Sequence, residues 1–135
     1  MPKKRKARKA LIFVVEDDSV ILEYLKTVLT DLNYNVASSS NGCEALEKIV
    51  QDSPSLVCLD VLLPDMDGLT LCQKLKANPK TSKIPVIMLS CLSDSATLRN
   101  AYSHGAIDFI AKPFKQAILR DKIEKALSGS KDIDF

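Results

Sequence analysis

The stretch LIFVVEDDSVILEYLKTVLTDL, residues 11–32, changes its hydrophobic period partway along, from that of a buried strand to that of a helix. Leu11 to Val15 is continuously apolar and rich in branched residues, the composition of a strand buried on both faces. From Ser19 to Leu32, the apolar Ile21, Leu25, Val28, Leu29 and Leu32 recur at spacings of three and four, which predicts an amphipathic helix. Between the two lie three consecutive acids, Glu16, Asp17 and Asp18.

The alternation repeats along the chain. Tyr34 to Ala37 reads as a weaker second strand nearer a sheet edge, and Asn41 as the cap of a helix carrying Ala45, Leu46, Ile49 and Val50. Ser55 to Leu59 is the third strand, followed by a helix over Leu69 to Ala77 that Asn78-Pro79 stops. Pro85 to Leu89 forms the fourth strand, and Ser95 to Ser103 a helix with Gly105 at its C-terminal side. Ile107 to Ala111 and Ala117 to Leu127 complete the series. Five strand–helix pairs in strict alternation predict one α/β domain with a doubly wound parallel sheet covered on both faces, because each parallel crossover must be long and right-handed.

Length and composition agree. A chain of 135 residues, 46% hydrophobic and 27% charged, fits one globular domain with its own core. No apolar run approaches the roughly 20 residues that span a bilayer, and Leu11 to Val15 is too short for a signal-peptide core, which points to a cytoplasmic protein. Cys43, Cys58, Cys72 and Cys91 are widely spaced with no C-x-x-C pair, so they read as free thiols and not as a zinc site. The net charge of +2 hides an asymmetry: residues 1–9 carry six positive charges and no acid, leaving 13 basic against 17 acidic residues in the rest. Residues 1–9 are expected to be a solvated, disordered arm, with PKKRK resembling a nuclear import signal. Such an arm could touch nucleic acid, but no aromatic or amide residues beside the charges point to base recognition.

Ligands of open α/β sheets sit beyond the carboxyl ends of the strands. The residues following the strands are Glu16, Asp17 and Asp18, then Asp60, then Ser90 and Cys91, then Lys112. Two carboxylates about 4 Å apart repel by roughly 4 kcal/mol at an effective dielectric near 20, so such a cluster either keeps a proton or takes a cation. Hard oxygen ligands with room for water suit Mg²⁺. Phosphoryl transfer needs mainly positioning and charge neutralisation, and a central carboxylate such as Asp60 can serve as the nucleophile.

At these residues the sequence resembles the response-regulator receiver family, typified by the chemotaxis Y protein. The matching stretches are VVEDDS (14–19), LVCLDVLLPDMDGL (56–69), IPVIMLS (84–90) and GAIDFIAKPF (105–114), in order and suitably spaced. The resemblance implies a flavodoxin-like (βα)5 sheet with strand order 2-1-3-4-5 over residues 10–128, with 129–135 a tail or linker start. It makes Asp60 the phosphorylated aspartate, Asp17 the direct magnesium ligand, and Glu16 its neighbour acting through water. The backbone carbonyl of Leu62 becomes a metal ligand, Ser90 the switch hydroxyl, Lys112 the phosphate-contacting lysine before a cis-proline, and Phe109 the aromatic rotamer switch. The implied function is a Mg²⁺-dependent signalling switch, phosphorylated by a histidine kinase, a phosphotransfer protein or a small phosphodonor, and not a metabolic enzyme. Its output would run through contacts with a downstream protein.

The chain departs from the family's commonest pattern at three positions: Glu16 replaces an aspartate, Phe109 lacks the hydroxyl of a tyrosine, and Cys91 replaces a small alanine. Two rivals stand against the switch. One is a receiver-like scaffold that works without phosphorylation. The other is an aspartyl-phosphate phosphatase of the dehalogenase type, which would need an acid two positions past Asp60, where this chain has Leu62. Asp18 or Ser19 is expected to cap the first helix, and Asp65 and Asp67 to be loop and turn residues. No output domain follows Leu127, so the chain reads either as a stand-alone receiver or as one domain of a longer protein.

Overall fold

The structure, a computed structural model, describes residues 10–90 and 95–129. Five strands alternate with five helices: β1 (Leu11–Val15), α1 (Ser19–Asp31), β2 (Asn35–Ser39), α2 (Gly42–Asp52), β3 (Leu56–Asp60), α3 (Gly68–Ala77), β4 (Val86–Ser90), α4 (Ser95–Ser103), β5 (Asp108–Ala111) and α5 (Gln116–Gly129). The sheet is parallel throughout, in the order β2-β1-β3-β4-β5. Its order and the single α/β unit agree with the sequence reading. The expectations for residues 1–9, 130–135 and Cys91 lie outside the described residues.

Alternation along each central strand divides the core in two. Phe13 and Val15 face one way with Val57, Leu59 and Met88, against Ile49 of α2 and Leu71 and Leu75 of α3. Ile12 and Val14 face the other way with Leu56, Ile87 and Leu89, against Leu25 and Leu29 of α1 and Leu119 and Ile123 of α5. Burying each such side chain stabilises the fold by about 1.5–3 kcal/mol. This two-sided demand is why β1, β3 and β4 read as unbroken apolar runs.

The observed strands differ from the expected ones at their ends. β2 begins after Tyr34 and runs on through the polar Ser38 and Ser39, because Ser39 pairs with Val15 and the Glu16 N–H donates to the Ser39 carbonyl (3.1 Å). β3 extends to Asp60, which pairs with Leu89, and β4 to Ser90, which pairs with Ala111. Ladder bonds use backbone groups, so hydrophobicity alone ends these strands too early. The last helix also starts one residue earlier and runs two further than its apolar pattern. Chain reversals are locally encoded: Asp18 Oδ1 accepts from the N–H groups of Val20 and Ile21 to cap α1, Asn41 caps α2, and Asp67 caps α3. After α4, Gly105 adopts φ 104°, a conformation open to glycine at little cost.

Candidate functional site

β1, β3 and β5 end at the same edge, where residues at or just beyond those ends and on α1 line a cleft of about 900 Å³. Its polar floor contains Glu16, Asp17, Asp60 and Lys112. Asp60 is only 5% exposed because it is the last residue of a strand covered on both faces. Its Oδ1 accepts from the Leu62 N–H (3.1 Å), and its Oδ2 accepts from Lys112 Nζ (2.9 Å). Glu16 is 1% exposed; its Oε2 accepts from the Asp18 N–H (3.1 Å), and its Oε1 lies 2.8 Å from Lys112 Nζ. That Oε1 contact is an ion pair without the direction of a hydrogen bond, so this buried oxygen lacks a well-aligned donor. Lys112 is brought in by the turn after β5: its N–H donates to the Ser90 carbonyl (2.8 Å), and its bond to Pro113 is cis.

One ammonium therefore serves two buried carboxylates, with the exposed Asp17 beside them. Burial pushes the Glu16 carboxyl up to about 7, with Lys112 pulling it down and Asp60 adding to the rise. For Lys112 burial acts to lower the value, but Glu16 and Asp60 together outweigh it and hold the ammonium above its ordinary range. Carboxylate oxygens of Glu16, Asp17 and Asp60 lie within 4.8 Å of one another. Three oxygen donors, one of them poorly paired and buried, fit a hard divalent cation such as Mg²⁺.

Five of the predicted site residues, Glu16, Asp17, Asp60, Leu62 and Lys112, thus meet in one cleft. Ser90 is buried at the end of β4 and reaches Lys112 through its backbone oxygen. Phe109 is 8% exposed and packs into the core cluster containing Met88 and Ala101. Sequence reasoning missed the apolar wall, which consists of Val20, Ile21 and Tyr24 of α1 together with Leu62, Pro113 and Phe114. The Tyr24 and Phe114 rings stack with centroids 6.2 Å apart. Exposed Val20, on the polar side of the α1 pattern, was the available signal. In the loop between β3 and α3, Leu63 and Met66 pack against the core, while Leu62 is 57% exposed.

In a doubly wound parallel domain, a cleft beyond the carboxyl ends of the strands is the place where ligands bind. The family model described as the response regulator receiver domain matches residues 12–124, and the chain belongs to that family, which serves two-component signalling. It is 39% identical over 114 residues to the transcriptional regulatory protein CrdR of Helicobacter pylori, covering 84% of this chain and 53% of that protein. Among solved structures, it resembles the signal receiver domain of a signal transduction histidine kinase from Syntrophus aciditrophicus, with 39% identity and a TM-score of 0.82. That match covers 89% of this chain and 91% of the other. The receiver domain of a Pseudomonas aeruginosa sensor histidine kinase, with magnesium in its active-site cleft, superposes with a TM-score of 0.84 at 25% identity, over 90% and 99% of the two chains. The chain spans about half the length of the curated relatives it matches. Among the described residues, no helix is long and apolar enough to cross a membrane.

Proposed function

We propose that this chain is a phosphorylation-dependent signalling switch in which Asp60 accepts a phosphoryl group. The observation that carries this reading is the placement of Asp60: a nearly buried carboxylate, open to a cleft, with Lys112 Nζ 2.9 Å from one of its oxygens. In the step, a carboxylate oxygen forms a bond to phosphorus as the bond from phosphorus to the donor's nitrogen or oxygen breaks, and the electron pair leaves with the donor. Lys112 offsets the charge arriving on the phosphoryl oxygens, and the Leu62 N–H orients the carboxylate. Glu16, Asp17, Asp60 and the Leu62 carbonyl would hold Mg²⁺, which when bound supplies charge neutralisation. Magnesium in the cleft of the Pseudomonas receiver supports that assignment.

Ser90 and Phe109 are the residues through which the phosphoryl group is sensed. Phe109 sits in the core with Met88, its ladder partner, and Ala101, so a change of its ring position requires repacking beneath α4. Moving such an equilibrium from 1:99 to 99:1 requires about 5.5 kcal/mol of preferential stabilisation. Residues 10–128 form the switching unit, with 1–9 a basic tail and 129–135 a tail or linker start. The phosphoryl group comes from a histidine kinase, a phosphotransfer protein or a small phosphodonor in the cytoplasm, and the output is contact with another protein. Self-phosphorylation and slow self-dephosphorylation serve the switch; the role is not metabolic.

Intact-mass measurement after incubation with acetyl phosphate and Mg²⁺ tests this reading. One added phosphoryl mass is expected for the wild-type chain and none for Asp60→Asn. No added mass on the wild type would favour the phosphorylation-independent scaffold.

A further inference from the structure

The loop between β3 and α3 carries Leu62 and fixes the orientation of Asp60, so what holds that loop matters to the site. Its base is closed tightly. The Gly68 N–H donates to the Val61 carbonyl (2.7 Å), and Leu62 and Asp67 form an isolated antiparallel bridge. A Cβ on Gly68 would lie 2.0 Å from the Asp60 carbonyl oxygen, so only glycine allows this approach. Between these points, Leu62 is largely exposed, and its side chain does little to hold the backbone in place.

The loop's other anchor is Asp65. Its Oδ1 accepts from the Gly42 N–H (2.7 Å) and its Oδ2 from the Cys43 N–H (2.9 Å), the first two residues of α2. The side chain of the next residue, Met66, lies over Gly42, so close that a Cβ there would meet its Cγ at 2.5 Å. The first turn of α2 is thereby fully satisfied: Glu44 N–H by Asn41 Oδ1 (2.9 Å), and Gly42 and Cys43 by an acid more than 20 residues away in sequence. Two charge-assisted bonds to fixed backbone donors hold the Asp65 carboxylate well below the usual range, at about 2, although it is exposed.

We infer that Asp65 is a positioning residue: it clasps the phosphoacceptor loop to the N-terminus of α2, and so fixes the Leu62 backbone that orients Asp60 and completes the cation site. The inference rests on the proposed reading of the cleft. A helix cap alone would stabilise α2 without reaching the cleft. The clasp, in contrast, joins α2 to the loop whose Leu62 N–H touches the acceptor carboxylate.

Asn41 supplies the control that separates these roles, because it caps the same turn of α2 from within the helix's own lead-in. The test uses the full 135-residue chain and compares wild type, Asp65→Ala, Asp65→Asn and Asn41→Ala. Mg²⁺ dissociation constants come from calorimetry, the Leu62 amide position from ¹H–¹⁵N spectra, and stability from urea unfolding. Asp65→Ala is expected to weaken Mg²⁺ binding by about tenfold, the low end of the effect of removing an outer partner of a metal ligand. It should also shift the Leu62 amide. Asp65→Asn, which keeps one acceptor oxygen, should fall between it and the wild type. Asn41→Ala should lower stability with little change in Mg²⁺ affinity or in the Leu62 amide. Equal Mg²⁺ affinity in Asp65→Ala and wild type would overturn the clasp, and so would an equal loss in Asn41→Ala. A wild-type chain that binds no Mg²⁺ would overturn the reading of the cleft and the clasp with it.

Discussion

At the ends of β1 and β3, two buried carboxylates share one ammonium; at the tip of the β3–α3 loop, one exposed carboxylate has two backbone N–H groups to itself. The outcomes are opposite. Glu16 is pushed up to about 7, chiefly by burial, while Asp65 is held at about 2 by the Gly42 and Cys43 N–H groups. Backbone donors fixed by a helix compensate a charge without moving and without adding another titrating group. A single lysine between two carboxylates leaves the cleft short of positive charge. The loop contact is complete as it stands, whereas the cleft keeps a surplus of carboxylate oxygens, a set that suits a cation.

Removing Lys112 should widen this contrast most. Lys112→Ala leaves Glu16 and Asp60 buried with no cation, and breaking a buried ion pair costs about 3–5 kcal/mol. Urea unfolding of the metal-free protein should show a larger loss at pH 8 than at pH 5, where a proton on Glu16 relieves the repulsion. Equal losses at the two pH values would mean that packing of the lysine stem, and not its charge, is what the cleft uses.

A smaller effect follows from Glu16 itself. The folded metal-free chain holds the Glu16 proton more tightly than the unfolded chain, whose value is near 4.5. Protonation therefore favours the fold: the contribution is complete below about 4.5 and is lost as pH rises through about 7. Glu16→Gln should flatten the stability profile across that window, as read from urea midpoints at successive pH values. A profile as steep as the wild type's would place the titrating group elsewhere.

Asp65 should give the smallest effect, with the reverse sign. Its folded value is depressed, so its stabilisation is present above the ordinary carboxylate range near 3.8 and is lost as pH falls through about 2. Asp65→Ala should lower stability at neutral pH and make the acid limb shallower below about 4. An unchanged acid limb would show that the two N–H bonds do not persist in solution.

The sequence made the cleft legible to the extent that its groups sit immediately beyond strand ends. Glu16, Asp17, Asp60 and Lys112 each follow an apolar run, and parallel topology places such residues along one edge. The fold was readable for the same reason, since each central strand buries both faces and leaves an unbroken hydrophobic signature. The polar end of β2 was not, because Ser38 and Ser39 belong to the strand through ladder bonds to Val14 and Val15. Nor was the role of Asp65: its partners are main-chain N–H groups at Gly42 and Cys43, which no side-chain pattern reports. The apolar wall of Val20, Tyr24 and Phe114 escaped notice because it joins α1 to the turn after β5, far apart in sequence.

On the proposed reading, the cleft accepts an anion beside Asp60 once its shortage of positive charge has been met. Fluorine NMR of the wild-type chain with beryllofluoride, a phosphoryl mimic, tests it directly when recorded with and without Mg²⁺. A bound resonance that needs Mg²⁺ and disappears in Asp60→Asn is the predicted result. No bound resonance with Mg²⁺ present, or one that survives in Asp60→Asn, would show that Asp60 is not the acceptor.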